Sequence, residues 1–305
     1  MNVSERMARW TREIYSEDLM RQSEEIAEDA IVRADNAWHQ FCLIPSDMLP
    51  RSSLGKIEYD TFRHMGAFLM YHWEASSMAG ISLSNGLSGR YNAGFTLLRS
   101  YLELVLRGVL SQCLAQRYFR DRPSSVLGPT DFLAILMRSL SDEIKEKQIK
   151  TGDLEDNTIE IFSVLHGHWM EDLLRLKPAS IIKQIADWDM LRGLGSSPDR
   201  EIGDIYTELS SNAHERVKYT DSGRATEEGA ELFEWPAPIL KDSLEEFLSC
   251  FHQSMEVGVI AVLNQVSRQF TGDMFKQMCH NVLNNENFRL ADMRRATKLL
   301  KSWAT

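Results

Sequence analysis

Apolar positions recur at three- and four-residue steps along most of the chain, the period of helices with one buried face. Within residues 4–41 the steps are Met7, Trp10, Ile14, Ile26, Ala30, Ile31, Ala34, Trp38 and Phe41. With Ser4 as N-cap, this predicts one long amphipathic helix or two in series. Pro45 and Pro50 follow, and each lacks the backbone donor a helix needs, so the helix is expected to stop before them. A second helix is expected over residues 57–84, turned by Asn85-Gly-Leu-Ser-Gly89 into a third that reaches Leu114. The inner half of the second is built of Ala75, Ser76, Ser77, Ala79, Gly80 and Ser82. Side chains this small let two backbones approach, which predicts a tight antiparallel hairpin.

Beyond the hairpin a loop is expected over residues 121–130, then helices over 131–147 and 158–176. Pro178 opens a shorter helix that ends at the turn 193–198. The helix over 201–216 carries Ile202, Ile205, Leu209 and Ala213 on its apolar side. Residues 218–238, rich in Gly, Thr, Glu and Asp, lose the helical period and read as an ordered excursion over the surface. Helices are expected again over 240–270, 273–283 and 288–303. The 8 Pro and 17 Gly among 305 residues leave little turn chemistry for a many-stranded sheet. The expected class is therefore all-α: an up-and-down helical bundle over 51–270, a long N-terminal helical segment over 1–50 and a basic helical extension over 271–305.

Charge narrows the function. A net charge of -10 argues against a protein that coats nucleic acid or an anionic membrane, although local nucleic-acid contact stays open. Near the C-terminus Arg268, Lys276, Arg289, Arg294, Arg295, Lys298 and Lys301 outnumber Asp273, Glu286 and Asp292, which reads as a solvated basic helix face. Cys42, Cys113, Cys250 and Cys279 are scattered, as free thiols of a reducing compartment would be. No apolar run has the length of a signal peptide or a membrane span, so a soluble cytoplasmic protein is expected. The long first helix favours pairing with a second copy or another protein.

The third helix holds the most unusual pattern. Arg99, Glu103 and Arg107 stand at strict four-residue spacing, in line on one face, among Phe95, Leu98, Leu102, Val105, Leu106 and Leu110. Charges in such surroundings need partners, because an unpaired one costs several kcal/mol in order of magnitude. Tyr206, Ser210 and His214 repeat the spacing on a later helix. If the two lines face each other, Arg99, Arg107 and Ser210 are candidate ligands for a phosphate, and Glu103, Tyr206 and His214 are candidates for proton transfer. The alternative is an internal ion network that fixes helix register.

Residues 89–103, with their Arg99-Ser-x-x-Glu103 element, and the Leu209-Ser-x-x-x-His214 element together resemble helical prokaryotic members of the HEPN superfamily, over roughly residues 57–265. The resemblance implies an up-and-down, frequently dimeric bundle. It also implies a group that holds metal-independent RNases of toxin and defence systems beside inactive binding members. Catalytic members place an Arg four to six intervening positions before a His, and no Arg stands so before His214. The stretch from Arg33 to His39 matches formally, with Ala34 where a polar residue is usual.

His166, His168, Glu171 and Asp172 superficially suggest a metal, but the two histidines point about 200° apart on a helix. His64 and His72 share a face yet stand about 12 Å apart. No metal and no cofactor is expected. Two functions follow from the sequence. The first is a nonenzymatic helical binding or assembly protein of a stress or defence system. The second is a metal-independent RNase or nucleotide-processing enzyme, in which Arg99 and Arg107 hold phosphate and His214 moves a proton.

Overall fold

The computed structural model describes residues 17–49, 59–116, 176–213, 220–229, 239–270, 272–284 and 292–305, together with Arg138 and Asp142. These residues form helices and the turns between them, with no strand. The helices are α1 (Glu17–Met48), α2 (Tyr59–Leu87), α3 (Tyr91–Ala115), α4 (Pro178–Asp187), α5 (Pro198–Ala213), α6 (Asp221–Glu227), α7 (Lys241–Gln269), α8 (Gly272–Asn284) and α9 (Arg294–Ala304). The fold is all-α. The helices expected over 131–147 and 158–176 lie outside the described residues, apart from Arg138, Asp142 and Leu176.

α7 is the axis of the bundle. Every residue from Ser254 to Val266 is buried, its continuous apolar run from Val257 to Leu263 enclosed by the other helices. α1 lies along one side of it, and the α2–α3 hairpin along another, with α4 and α5 closing over α3. One continuous buried cluster takes side chains from all nine helices, among them Phe41, Phe68, Leu102, Ile182, Ile202, Ala225, Phe251, Cys279 and Leu300. The N-terminal helix and the C-terminal pair α8–α9 thus share the core of the bundle body. All four cysteines are free, and three of them are buried. No helix among the described residues is long and apolar enough to cross a membrane.

The hairpin is as tight as its small residues require. Gly89 makes the turn at φ 73°, and Ser82 Oγ donates to the Gly94 carbonyl at 2.8 Å across the pair. Gly86 and Gly94 form a slot for the Phe247 ring, and a Cβ on Gly86 would strike that ring. The small-residue stripe is shared, however. Gly80 receives Trp38 of α1, whose indole N–H donates to the Ser76 carbonyl at 3.0 Å.

Two boundaries differ from the sequence reading. α1 does not stop before Pro45 but continues to Met48, with a kink at Ala27 (φ -145°, ψ 37°). Pro45 cannot donate to the Phe41 carbonyl, and His72 Nε2 takes that place at 2.8 Å. A tertiary donor thus replaces the missing helical one. The second difference lies in residues 218–238. Instead of only crossing the surface, this stretch forms α6, capped by Thr220 Oγ1, which accepts from the Gly223 N–H at 3.1 Å. Its Arg224 is 5% exposed.

Candidate functional site

α3 and α5 pack side by side and bring Tyr206 of the second polar line onto the first. α5 begins at Pro198, whose ring suits the first helical turn, and buries Ile202, Ile205 and Leu209. That register turns Tyr206 toward α3. Its hydroxyl donates to Glu103 Oε1 at 2.7 Å and accepts from Arg99 Nε at 3.0 Å, while the same Arg99 N–H reaches Glu103 Oε1 at 3.2 Å. The Arg99 guanidinium also stands 5.1 Å from the centre of the Tyr206 ring. One turn further along α3, Arg107 Nη2 lies 3.9 Å from Glu103 Oε2 and donates to the Leu176 carbonyl at 3.5 Å.

The triangle is half sunk at the helix interface. Arg99 and Glu103 side chains are 34% and 25% exposed, and Arg107 only 10%. Burial pushes the Tyr206 phenol above its usual range, and the adjacent Glu103 carboxylate adds to this. Glu103 is therefore a carboxylate already engaged by a guanidinium and a phenol on one oxygen, with a second guanidinium near the other. Ser210 sits one turn beyond Tyr206, its Oγ enclosed and without a hydrogen bond. His214 lies outside the described residues.

The other histidines among the described residues do not gather into a site. Arg33 lines a cleft between α1 and α7, whereas His39, six residues on and so about 240° around the helix, pairs with Asp35 at 3.3 Å in solvent. The Arg33–His39 match is thus split between two faces. His72 serves the Phe41 carbonyl, and the His64 carbonyl accepts from Gln112 Nε2 at 2.6 Å. His166, His168, Glu171 and Asp172 lie outside the described residues, among which no group of His, Cys, Asp and Glu has the arrangement of a metal site.

Two charge clusters escaped the sequence reading. Arg224 of α6 donates through Nη1 to Glu246 Oε2 (2.9 Å) and through Nη2 to Asn212 Oδ1 (2.5 Å), and it covers the Phe95 ring at 5.1 Å. At either end of α6 a carboxylate caps a longer helix. Asp221 Oδ1 accepts from the Asn92 N–H at the start of α3 (3.0 Å), and Glu228 accepts from the Asp242 and Ser243 N–H groups at the start of α7 (3.1 and 3.0 Å). Neither α3 nor α7 has a side-chain cap of its own.

The second cluster is Arg295 of α9, which pairs with Glu201 of α5 and with Glu256 of α7, the latter at 2.6 Å. Glu256 Oε1 also accepts from the Arg295 N–H at 3.0 Å, capping α9. Part of the basic C-terminal face is therefore engaged with other helices rather than wholly solvated. Arg268, likewise, donates to the Trp188 carbonyl at 3.4 Å.

No family model matches the chain, and neither does any curated protein or solved structure.

Proposed function

We propose that this chain is a nonenzymatic helical binding and assembly protein, in which the Arg99, Glu103 and Tyr206 line fastens α5 to α3. The observation that carries this reading is the closed triangle. Glu103 Oε1 accepts from both Arg99 and Tyr206, and the Tyr206 hydroxyl is used as donor and acceptor at once. A general base needs a free lone pair at the reacting proton, and a phosphate clamp needs guanidinium edges that no internal carboxylate occupies. Here Glu103 Oε1, Arg99 Nε and the Tyr206 hydroxyl are engaged with one another, within α3 and across to α5. The acidic net charge agrees with a partner other than bare nucleic acid. The HEPN-like sequence elements favour placing this chain beside the binding members of that group in stress or defence systems.

The test is RNA and nucleotide cleavage by purified, metal-free protein beside His214→Ala and Glu103→Gln, with thermal melting of each. The expected result is no cleavage above a blank, and a lower Tm for Glu103→Gln. Cleavage that disappears in a His214→Ala protein of unchanged Tm overturns the proposal in favour of a metal-independent RNase.

A further inference from the structure

α9 carries unpaired cations along one side. By helical period Arg294, Lys298 and Lys301 fall within an arc of about 60°, opposite the buried Ala296, Leu299 and Leu300. All three are exposed. Three neighbouring cations are engaged elsewhere: Arg295 turns sideways to Glu201 and Glu256, Lys276 donates to the Thr305 carbonyl at 2.9 Å, and Arg268 donates to the Trp188 carbonyl. The side chains of Arg294, Lys298 and Lys301 make no ion pair or hydrogen bond among the described residues.

This arrangement works against the helix that holds it. Like charges four and three residues apart repel across one turn, and Arg294 stands in the first turn, where the helix dipole disfavours a cation. No Asp or Glu occurs from Met293 to Thr305 to relieve either effect, whereas exposed cations elsewhere have one a turn away, as Lys241 has Glu245 and Arg21 has Asp18. Local rules broken together on an exposed face, in a chain of net charge -10, point to a ligand for the stripe.

Its shape selects that ligand. Three cations spread over about 10 Å of a convex helix cannot enclose a small anion, which needs a concave site. A linear polyanion fits. Nucleic acid would carry its phosphates well past the stripe, into the field of a chain whose remainder is acidic, and the one aromatic ring of α9, Trp303, turns inward to Phe275 and is not offered to bases. An acidic peptide segment of a few residues ends where the stripe ends, and charges more than about 8 Å away are largely screened from it.

We infer that the Arg294, Lys298 and Lys301 face of α9 docks an Asp- and Glu-rich segment of a partner protein, whose carboxylates pair with the three cations. This rests on the binding reading and names the chemistry of the partner.

Fluorescence anisotropy with a labelled oligo-glutamate dodecapeptide tests it, in low salt and at about 0.3 M salt. The full chain is compared with Lys298→Glu, Arg294→Glu and the control Lys241→Glu, each checked for native helicity by circular dichroism. All three positions are exposed, so the variants should fold. The expected result is saturable binding by the wild type and Lys241→Glu that weakens with salt, and a Kd raised roughly 10-fold or more in Lys298→Glu and Arg294→Glu. An oligouridylate of equal length should bind more weakly. Absence of saturable binding in low salt overturns the inference, as does binding that all three variants weaken alike or leave unchanged. Tighter binding of the oligouridylate through Lys298 also overturns it, in favour of nucleic acid. The noncatalytic reading falls only with RNA or nucleotide cleavage; a cleaving protein that still holds oligo-glutamate through Lys298 would keep this surface and lose that reading.

Discussion

The ring of His72 donates through Nε2 to the carbonyl of Phe41, the acceptor that Pro45, four residues further on, leaves without its helical partner. A carbonyl only accepts, so the bond fixes the proton on Nε2. Burial holds the ring neutral by lowering its pKa from 6.5 to about 4, against the opposing pull of the Phe41 carbonyl. One residue thereby lets a helix pass through a proline.

This pairing sets a pH dependence. Between pH 6.5 and about 4 the native chain binds fewer protons at His72 than the unfolded chain does. Its contribution is therefore complete above pH 6.5 and is lost as the pH falls toward 4, by about 3 kcal/mol in all. Urea unfolding at pH 7.5 and 4.5 should reveal this slope, and His72→Phe should flatten it.

The same bond can be isolated by a double-mutant cycle. His72→Phe leaves the Phe41 carbonyl buried without a donor and should cost about 1–3 kcal/mol. Pro45→Ala restores an N–H to that carbonyl. The loss from His72→Phe should therefore be smaller in the Pro45→Ala background, a coupling that chemical denaturation can measure.

At the α3–α5 triangle, Tyr206→Phe should destabilise by about 1 kcal/mol, the worth of a partly solvated hydrogen bond to a charged group. Glu103→Ala should cost more, about 2 kcal/mol after allowing for its exposure, because Arg107 loses its nearby carboxylate. Melting curves of the two single variants and the double should show the effects to be less than additive.

Replacing Arg224 removes the clasp of α6. Arg224→Met should keep some packing on Phe95 yet take the guanidinium from Glu246 Oε2 and Asn212 Oδ1, which keep only the bond from Asn212 Nδ2 to Glu246 Oε1, lowering stability by about 2–4 kcal/mol. Hydrogen exchange should then accelerate at the Asn92, Asp242 and Ser243 amides, which α6 caps, more than at the amides of Val259 to Leu263.

Glycines give a contrast of opposite sign. Gly86→Ala places a methyl group into the Phe247 ring and should cost about 1–3 kcal/mol. Gly203, within α5, has nothing within 4 Å of a Cβ, so Gly203→Ala should stabilise by up to about 1 kcal/mol. Thermal melting of the two variants distinguishes a glycine held by its neighbours from one that is merely tolerated.

These cases show what the amino-acid order makes legible. Helices α2, α3 and α7 declare themselves by period, and the meeting of Arg99, Glu103 and Tyr206 follows from spacing once two lines are supposed to face each other. The passage of α1 through Pro45 was hidden, because the compensating donor, His72, lies on another helix. α6 was hidden for a related reason. Seven residues of weak apolar period are too short to hold a helix alone, and what stabilises them is Arg224 and two carboxylates reaching other elements. Local pattern reports what a segment does for itself. It does not report what a segment supplies to distant neighbours.

The long contact between α1 and α7 has a kinetic meaning. Helical bundles usually fold fast because their contacts are local, but here the first described helix rests on the axis helix, which follows it only after most of the chain. Loop closure must precede that reward. The α2–α3 hairpin can form early and α1 can lean on α2 through Trp38 and Gly80, while the side of α1 that faces α7 stays uncovered until α7 arrives. Folding should accordingly be slower than helix content alone suggests, with α1 the last of the long helices to gain protection.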